Sequence, residues 1–574
     1  MEFSAIYHDV NKKYCYALKK GRFLIRLKVK KDDMQKVVLH YQDKYIKVEM
    51  LDTRRTVEMR KAASDCWCDY YEAEIEIDVI CLRYYFELTD RAGMVSYYSN
   101  QEFFSGPVED TDRMFDCPQN LREEEMFEIP DWAKNRIVYQ IFPSRFASSK
   151  FVEEDKWYQA PIGAREDIGG DLKGIIGRLE YLRDLGVDVL YLTPVFASNS
   201  THKYNTIDYY KIDPDFGTEE DLKNLVERAH GMGMRVILDG VFNHTSPEFF
   251  AFADLMEKQE KSAYKDWYYP DGFPLKWKWG EKPNYKSFAY FGGMPKLNLL
   301  NPETQEYFIQ VGRYWIEKCK IDGWRLDVGD EISHKFWRNF RREMKALNPE
   351  ALIVGEVWHC AEDFLDGEEW DSIMNYSFHF SVIDFVAKES ISPSRFWGNI
   401  GYLRGNVHTK VFPVLWNLID SHDTARFLHM CGGNKEKLKL AAALQMLLSG
   451  MPVIYYGDEL GMAGGPDPDC RRGMLWDEKY QDQDVFQWYR RLIKARKEYA
   501  CITEGVVTAS VTDDEKGLLL ITKELGDEKL AICFHAKDGE AGLPEYAGAR
   551  DVLRGEVFSG FMKPYEAYVF EIKN

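Results

Sequence analysis

The chain has 574 residues and a formal net charge of −19, with 75 Lys and Arg against 94 Asp and Glu. At 45% hydrophobic and 29% charged residues it can bury several packed domains, which excludes a chiefly disordered chain. The acidic balance argues against a protein that coats nucleic acid, and no apolar run approaches the roughly 18 residues of a membrane span. Eleven cysteines, odd in number and spread from Cys15 to Cys533, read as reduced thiols rather than a disulfide framework. The close pair in Cys66-Trp67-Cys68 lacks zinc-knuckle spacing and has no nearby His. Met1-Glu2-Phe3-Ser4 carries no basic or apolar leader segment, so a cytoplasmic location is expected.

The first hundred residues alternate with period two. Phe23, Ile25, Leu27 and Val29 interleave with Arg22, Arg26, Lys28 and Lys30. Tyr71, Ala73, Ile75, Ile77 and Val79 interleave with Glu72, Glu74, Glu76 and Asp78. One buried and one charged face predict a small antiparallel β-sandwich over residues 1–122. The charged run Arg122–Glu125 reads as a linker. From Ile137 short apolar strands alternate with helical patterns: strands at 137–141, 189–192, 235–241, 323–328, 351–357, 411–419 and 452–456. Helices are expected at 172–185, after a capping box at Thr218, and at 302–319, 333–347, 435–448 and 485–499. Repeated βα units of this number predict a (β/α)8 barrel over residues 123–500. Residues 245–300 interrupt the rhythm with many aromatics. They read as a subdomain inserted after the third strand that roofs the barrel mouth. Period two returns over 501–574, a C-terminal β-sandwich.

Barrel sites form at the C-terminal ends of strands. Those ends carry Asp239, Asn243 and His244 (third strand), Arg325 and Asp327 (fourth), Glu356, Trp358 and His359 (fifth), and Ser421-His422-Asp423 (seventh). A lone Asp at a strand end usually caps a helix, and a lone His usually fills a polar core position. Several acids, an Arg and His residues meeting on one rim point instead to chemistry. Paired carboxylates suit glycoside hydrolysis, whose oxocarbenium-like transition state needs a nucleophile and a protonated acid. Arg325, two residues before Asp327, is placed to hold it ionised, and the surroundings of Glu356 should raise its pKa.

These stretches resemble the α-amylase family of glycoside hydrolases. Asp239-Gly-Val-Phe-Asn-His244, Gly323-Trp-Arg-Leu-Asp-Val328, Gly355-Glu-Val-Trp-His359 and Ser421-His-Asp-Thr424 look like its four signature regions, in order. Met294-Pro-Lys-Leu-Asn298 and Gly464-Gly-Pro-Asp-Pro-Asp-Cys470 resemble the cyclomaltodextrinase, neopullulanase and maltogenic amylase subgroup. The resemblance implies Asp327 as nucleophile, Glu356 as general acid/base and Asp423 as the grip on sugar hydroxyls. His202, Tyr204, His244, Arg325, Trp358 and His422 would bind substrate, with Tyr204 as stacking platform. Asp239 and Asn243 would be structural in the site. It also implies a homodimer through the N-terminal domain, whose aromatics Trp67, Tyr70, Tyr71, Tyr84, Tyr85, Tyr97 and Tyr98 exceed an obvious core requirement.

Three departures stand out. Asn205 replaces a frequent Asp, and Gly329-Asp330-Glu331 replaces Ala-Asn-Glu. Many relatives carry an Asn- and Asp-rich calcium loop where this chain has Ala147-Ser-Ser-Lys-Phe151. No cofactor is required by the reading. Calcium stays open, since Gly169 and Asp171 can still supply oxygens to an altered site. The expected activity is a retaining endo-type hydrolase of α-1,4-glucosidic bonds in cyclodextrins, maltodextrins and pullulan, releasing maltose or panose with some transglycosylation. An exo-acting α-glucosidase and a non-catalytic glucan-binding protein are the alternatives. Neither nucleic acid nor membrane is an expected partner.

Overall fold

The computed structural model describes residues 1–10, 13–45, 54–118, 126–359 and 361–572. The expected linker at Arg122–Glu125, and with it the 122/123 boundary, lies outside the described residues.

One compact unit comprises Met1–Glu128 together with Glu362–Glu368 and Ser394–Phe412. Its first sheet orders the strands Cys15–Lys19, Arg22–Lys30, Cys68–Glu76 and Arg60–Ser64. The second runs through Arg55–Glu58, Met34–Asp43, Cys81–Asp90, Val95–Ser99 and Glu102–Phe104, and Phe115–Pro118 pairs with Cys81–Asp90. Phe23, Ile25, Leu27 and Val29 enter the shared core as their spacing predicts. The charged face departs from expectation: Arg26 and Glu72 are buried as well. Segment 394–412 covers them. Arg26 Nη1 donates to the carbonyls of Gly405 and Val407, both at 3.0 Å. Glu72 accepts from Arg26 Nε at 2.9 Å and from Arg404 Nη2 at 2.8 Å. A buried pair needs such extra hydrogen bonds to offset desolvation. Tyr70, Tyr71, Tyr84, Tyr85 and Tyr98 are buried and Trp67 is exposed, so five of the seven aromatics read as surplus fill the unit's interior.

The second unit comprises Ile129–Ala361, Glu369–Pro393 and Pro413–Asn574. Eight parallel strands close a barrel: Val138–Ile141, Val189–Leu192, Arg235–Gly240, Gly323–Leu326, Leu352–Val357, Ser372–Asn375, Trp416–Leu418 and Met451–Tyr455. The eighth returns to the first through Val138 opposite Val453. The sixth strand escaped the sequence pattern because it is four buried residues without alternation. The expected helix at 172–185 is two pieces, Leu172–Ile176 and Leu179–Leu185, separated at Gly177–Arg178. Helix Glu219–Gly231 starts from Thr218, whose hydroxyl and backbone complete a capping box with Asp221. After the second strand an unforeseen hairpin, Phe196–Ser198 with Thr206–Ile212, presents His202 and Tyr204 between its arms.

The excursion after the third strand holds helix Phe250–Lys258 and short turns. It returns to its origin: the Leu297 N–H donates to the Asn243 carbonyl at 2.9 Å, and His244 bridges Lys296. A four-stranded antiparallel sheet, Val506–Asp513, Leu518–Leu525, Glu528–His535 and Ala567–Glu571, forms the C-terminal part. No described helix is long and apolar enough to cross a membrane.

Candidate active site

Arg325 is the centre of the site. Its guanidinium is fully buried and meets three carboxylates. Nη1 lies 3.0 Å from Asp239 Oδ2 and 2.9 Å from Asp327 Oδ1, and Nη2 lies 2.8 Å from Glu356 Oε1. Nε contacts Met374 Sδ at 3.2 Å. The acids end the adjacent third, fourth and fifth strands, as expected. Gly355 gives Glu356 its place: a Cβ there would lie 2.2 Å from the Trp370 ring.

The electrostatics differ from the simple expectation. Burial is the largest influence on Asp327 and lifts it well above the usual carboxylate range; the charge of Glu356 adds to this, and Arg325 opposes both. Burial also raises Asp239, to about 6, against Arg325 and the hydrogen bond from Tyr191. For Asp327 and Asp239 the exclusion of water thus outweighs the one cation between them. Glu356 lies beside the Arg325 guanidinium and accepts from the Val328 N–H at 3.0 Å and from Trp358 Nε1 at 3.1 Å. Val328 makes that bond from a left-handed backbone, φ 46°, an outlier for a β-branched residue.

The remaining predicted residues gather around this core. His422 is fully buried, contacts Gln140 Nε2 at 2.6 Å and lies 3.1 Å from Asp423 Oδ2. Tyr204 hydrogen-bonds His422, stacks on it at an interplanar angle of 3° and donates to Asp239 at 3.1 Å. His244 contacts the Tyr204 carbonyl at 3.1 Å, and burial pushes its pKa down to about 3. Burial also lowers His202, to about 4. Asn243 is held by Lys296 and by Glu331. Trp358 is 40% exposed and stacks on Tyr376 at 4.1 Å.

Sequence reasoning missed four partners: Tyr191, which donates to Asp239 at 2.6 Å, Tyr376, Phe288 stacked on His244 at 5.1 Å, and Arg471, 3.3 Å from Asp423. Tyr191 was visible as a polar-tipped residue inside a strand. Tyr376 follows the unread sixth strand, Phe288 was one of the aromatics of the inserted stretch without a role of its own, and nothing in the pattern singled out Arg471. Among the departures, Asn205 is engaged by Ser198, Ser200 and Asn199. Asp330 accepts from His359 at 2.9 Å.

Residues 140–481 match the α-amylase catalytic domain family, and residues 1–119 match the α-amylase N-terminal ig-like domain. The chain belongs to the α-amylase family of glycoside hydrolases. It is 40% identical to neopullulanase 2 of Thermoactinomyces vulgaris over 99% of both chains. It is 37% identical to an intracellular maltogenic amylase of Bacillus subtilis, covering 93% of this chain and 91% of that one. A solved cyclomaltodextrinase superposes with a TM-score of 0.89 at 38% identity, covering 95% of this chain and 93% of the other.

The loop expected to hold calcium in such enzymes is closed by protein donors here. Asp171 accepts from Ser149 N at 3.1 Å, Ser149 Oγ at 2.6 Å and Gly174 N at 2.6 Å. Both its oxygens are thus engaged, and Lys150 brings a positive charge to the loop where a ligand would stand. Calcium asks for six to eight oxygens, and no group of three or more His, Cys, Asp or Glu suited to a metal occurs among the described residues. These residues do not fit the ion, and no step below involves it.

Proposed function

We propose that this glycoside hydrolase cleaves α-1,4-glucosidic bonds of cyclodextrins and maltodextrins, with pullulan as a further substrate. It acts internally, retains configuration, releases maltose or panose and transfers part of the product to other sugars. The observation that carries the reading is one buried guanidinium, Arg325, shared by Asp327 and Glu356 on neighbouring strands. Carboxyls bridged by a single guanidinium fit the short spacing of a retaining pair, about 5–5.5 Å, better than the wider gap that admits a water in inverting enzymes. The names of the similar proteins supply the substrate class.

Asp327 attacks the anomeric carbon while Glu356 gives its proton to the leaving oxygen; water then enters with Glu356 as base. This division requires the proton held by the cluster to reside on Glu356 once substrate is bound. The leaving oxygen favours that by accepting a hydrogen bond from Glu356. Asp423 grips sugar hydroxyls, with His202, His244, Arg325 and His422 lining the cleaved residue. Tyr204 is the platform beneath it, and the Trp358–Tyr376 stack receives the leaving-group side. Asp239 and Asn243 hold the frame. Ten described cysteines are free thiols, which fits an intracellular enzyme. A homodimer through the N-terminal unit is part of the proposal, and light scattering showing only a 67.2 kDa species at micromolar concentration would remove it.

The test is product analysis on β-cyclodextrin, pullulan and starch, with Asp327→Asn as control. Opening of the cyclic substrate is expected, with the α-anomer released first by NMR. No turnover of the ring with glucose from chain ends would mark an exo-acting α-glucosidase instead. Asp327→Asn should lose nearly all turnover and still bind substrate.

A further inference from the structure

Behind the segment that carries His422 and Asp423 lies a second acid pair, Asp420 and Asp458, only 1% and 2% exposed. Asp420 sits just past the seventh strand, and Asp458 opens the 3-10 turn Asp458–Leu460 past the eighth. Each uses one oxygen. Asp420 Oδ2 accepts from the Phe427 N–H at 2.6 Å, and Asp458 Oδ1 accepts from Arg426 Nη1 at 2.9 Å. The other oxygens, Asp420 Oδ1 and Asp458 Oδ2, meet no N–H or hydroxyl donor. The two carboxyls are neighbours, and each acts on the other through its side chain.

Two neighbouring buried carboxylates, each with a donorless oxygen, repel each other, and each loses its hydration. One proton between them removes both faults. Charge leads to the same result. Arg426 is the cation facing the pair, and two ionised acids beside it would leave an uncompensated negative charge in the interior. The neighbouring ionisable groups bring no second positive charge. Glu459 is occupied by Tyr139, Tyr181 and the Gly457 N–H. Tyr489 faces the acids from helix Gln483–Glu498, Tyr455 and Tyr456 lie against the Arg426 guanidinium, and Cys431 lies on the Asp420 side. Burial lifts both carboxyls above their usual range.

We propose that Asp420 and Asp458 share a single proton, and that this O–H···O bridge is a positioning device that fixes the His422–Asp423 segment across the ends of the seventh and eighth strands. Arg426 couples the bridge to the site. Its Nε donates to the Cys470 carbonyl at 2.9 Å. Cys470 Sγ and Arg471 Nε in turn donate to the His422 carbonyl at 3.2 and 2.8 Å. Loss of the shared proton at alkaline pH places a second negative charge beside Arg426 and loosens the hold on His422 and Asp423.

Asp458→Asn keeps a donor toward Asp420 and an oxygen toward Arg426, and its donor cannot be titrated away. Asp420→Asn reads the same bridge from the other side. Each single variant should fold, and the alkaline limb of kcat/KM on a maltooligosaccharide should move upward by about one pH unit or more. Infrared difference spectra at pH 8 should show a protonated-carboxyl component in the wild-type enzyme that is absent from both single variants. This arm does not depend on the substrate assigned above. The double variant Asp420→Asn/Asp458→Asn strands the charge of Arg426 and should lose far more stability than the two singles added together. Persistence of the band in both variants, an unmoved alkaline limb in both, a double variant as stable as the singles, or failure of both singles to fold would each overturn the proposal.

Discussion

Lys523 lies on the second strand of the C-terminal sheet, 1% exposed and without a carboxylate among its hydrogen-bond partners. Its ammonium donates to the Ile502 carbonyl and to Ser449 Oγ. Burial, with Arg496 adding repulsion, lowers its pKa from 10.5 to about 7. A lysine depressed in the folded state binds fewer protons there than when unfolded. Stability should therefore rise as pH climbs from about 7 towards 10, and the full penalty, on the order of 5 kcal/mol, applies below that window. Lys523→Met should raise the thermal midpoint at pH 6.5 and flatten the rise. Calorimetry showing equal pH slopes for the two proteins would contradict this. Arg325 gives a prediction of the opposite sign. Arg325→Lys keeps a charge but not the fork that spans three acids, so kcat should fall on the order of 100-fold or more. Near-normal turnover of that variant would reject the central role of the guanidinium. Much of this site was legible as text, because each strand-end acid is a polar residue closing an apolar run. The partners that tune those acids were not. Tyr191, Val328 and Arg471 act through direction and distance, and a sequence records neither. The proton balance was also hidden: Arg325 two residues before Asp327 suggested simple ionisation, but burial and Glu356 outweigh it in the folded chain.

At the level of elements, the loop after the first strand illustrates a closed hydrogen-bond account. Asp171 caps helix Leu172–Ile176 through Gly174 N and ties Ser149 back onto the same carboxylate. With both oxygens engaged by the chain, the local fold should be independent of calcium. EDTA treatment and calcium addition should each leave the melting curve within about one degree. A calcium-dependent rise of several degrees, which specific binding would produce by mass action, would show that the loop opens to take the ion. Periodicity announced the long helices and the period-two strands. It could not announce the sixth strand, since a short buried strand carries no alternation, nor the hairpin that presents His202 and Tyr204, whose partly buried arms follow no period of two. The glycine before Glu356 was visible only as part of a motif. Its reason, the Trp370 ring 2.2 Å from where a Cβ would stand, is a fact of packing.

At the scale of the whole molecule, the N-terminal unit is not completed by its own sequence. Ser394–Phe412 belongs to it. Gly401 lies so close to Ser64 that a Cβ would meet its carbonyl at 1.9 Å, and Tyr16 hydrogen-bonds Thr409 at 2.6 Å. Removal of residues 1–122 should therefore yield an insoluble product, because Arg404 loses Glu72 and the 394–412 segment loses its packing surface. A soluble, cooperatively melting remnant would refute this. Fold class was readable from the alternation of strands and helices. The composition of this unit was not, because a charged row on a strand gives no sign that a distant segment will cover it.

That recruitment has a consequence for biosynthesis. The carbonyls that receive Arg26 come from Gly405 and Val407, nearly four hundred positions later in the chain. At ribosomal speeds of roughly 5–20 residues per second, Arg26 waits on the order of 20–80 s for those carbonyls, with Glu72 still wet beside it. The first part to emerge is thus among the last to become native. Pauses or truncation before residue 405 should leave it open to proteases and chaperones, although every strand of its two sheets has already been made.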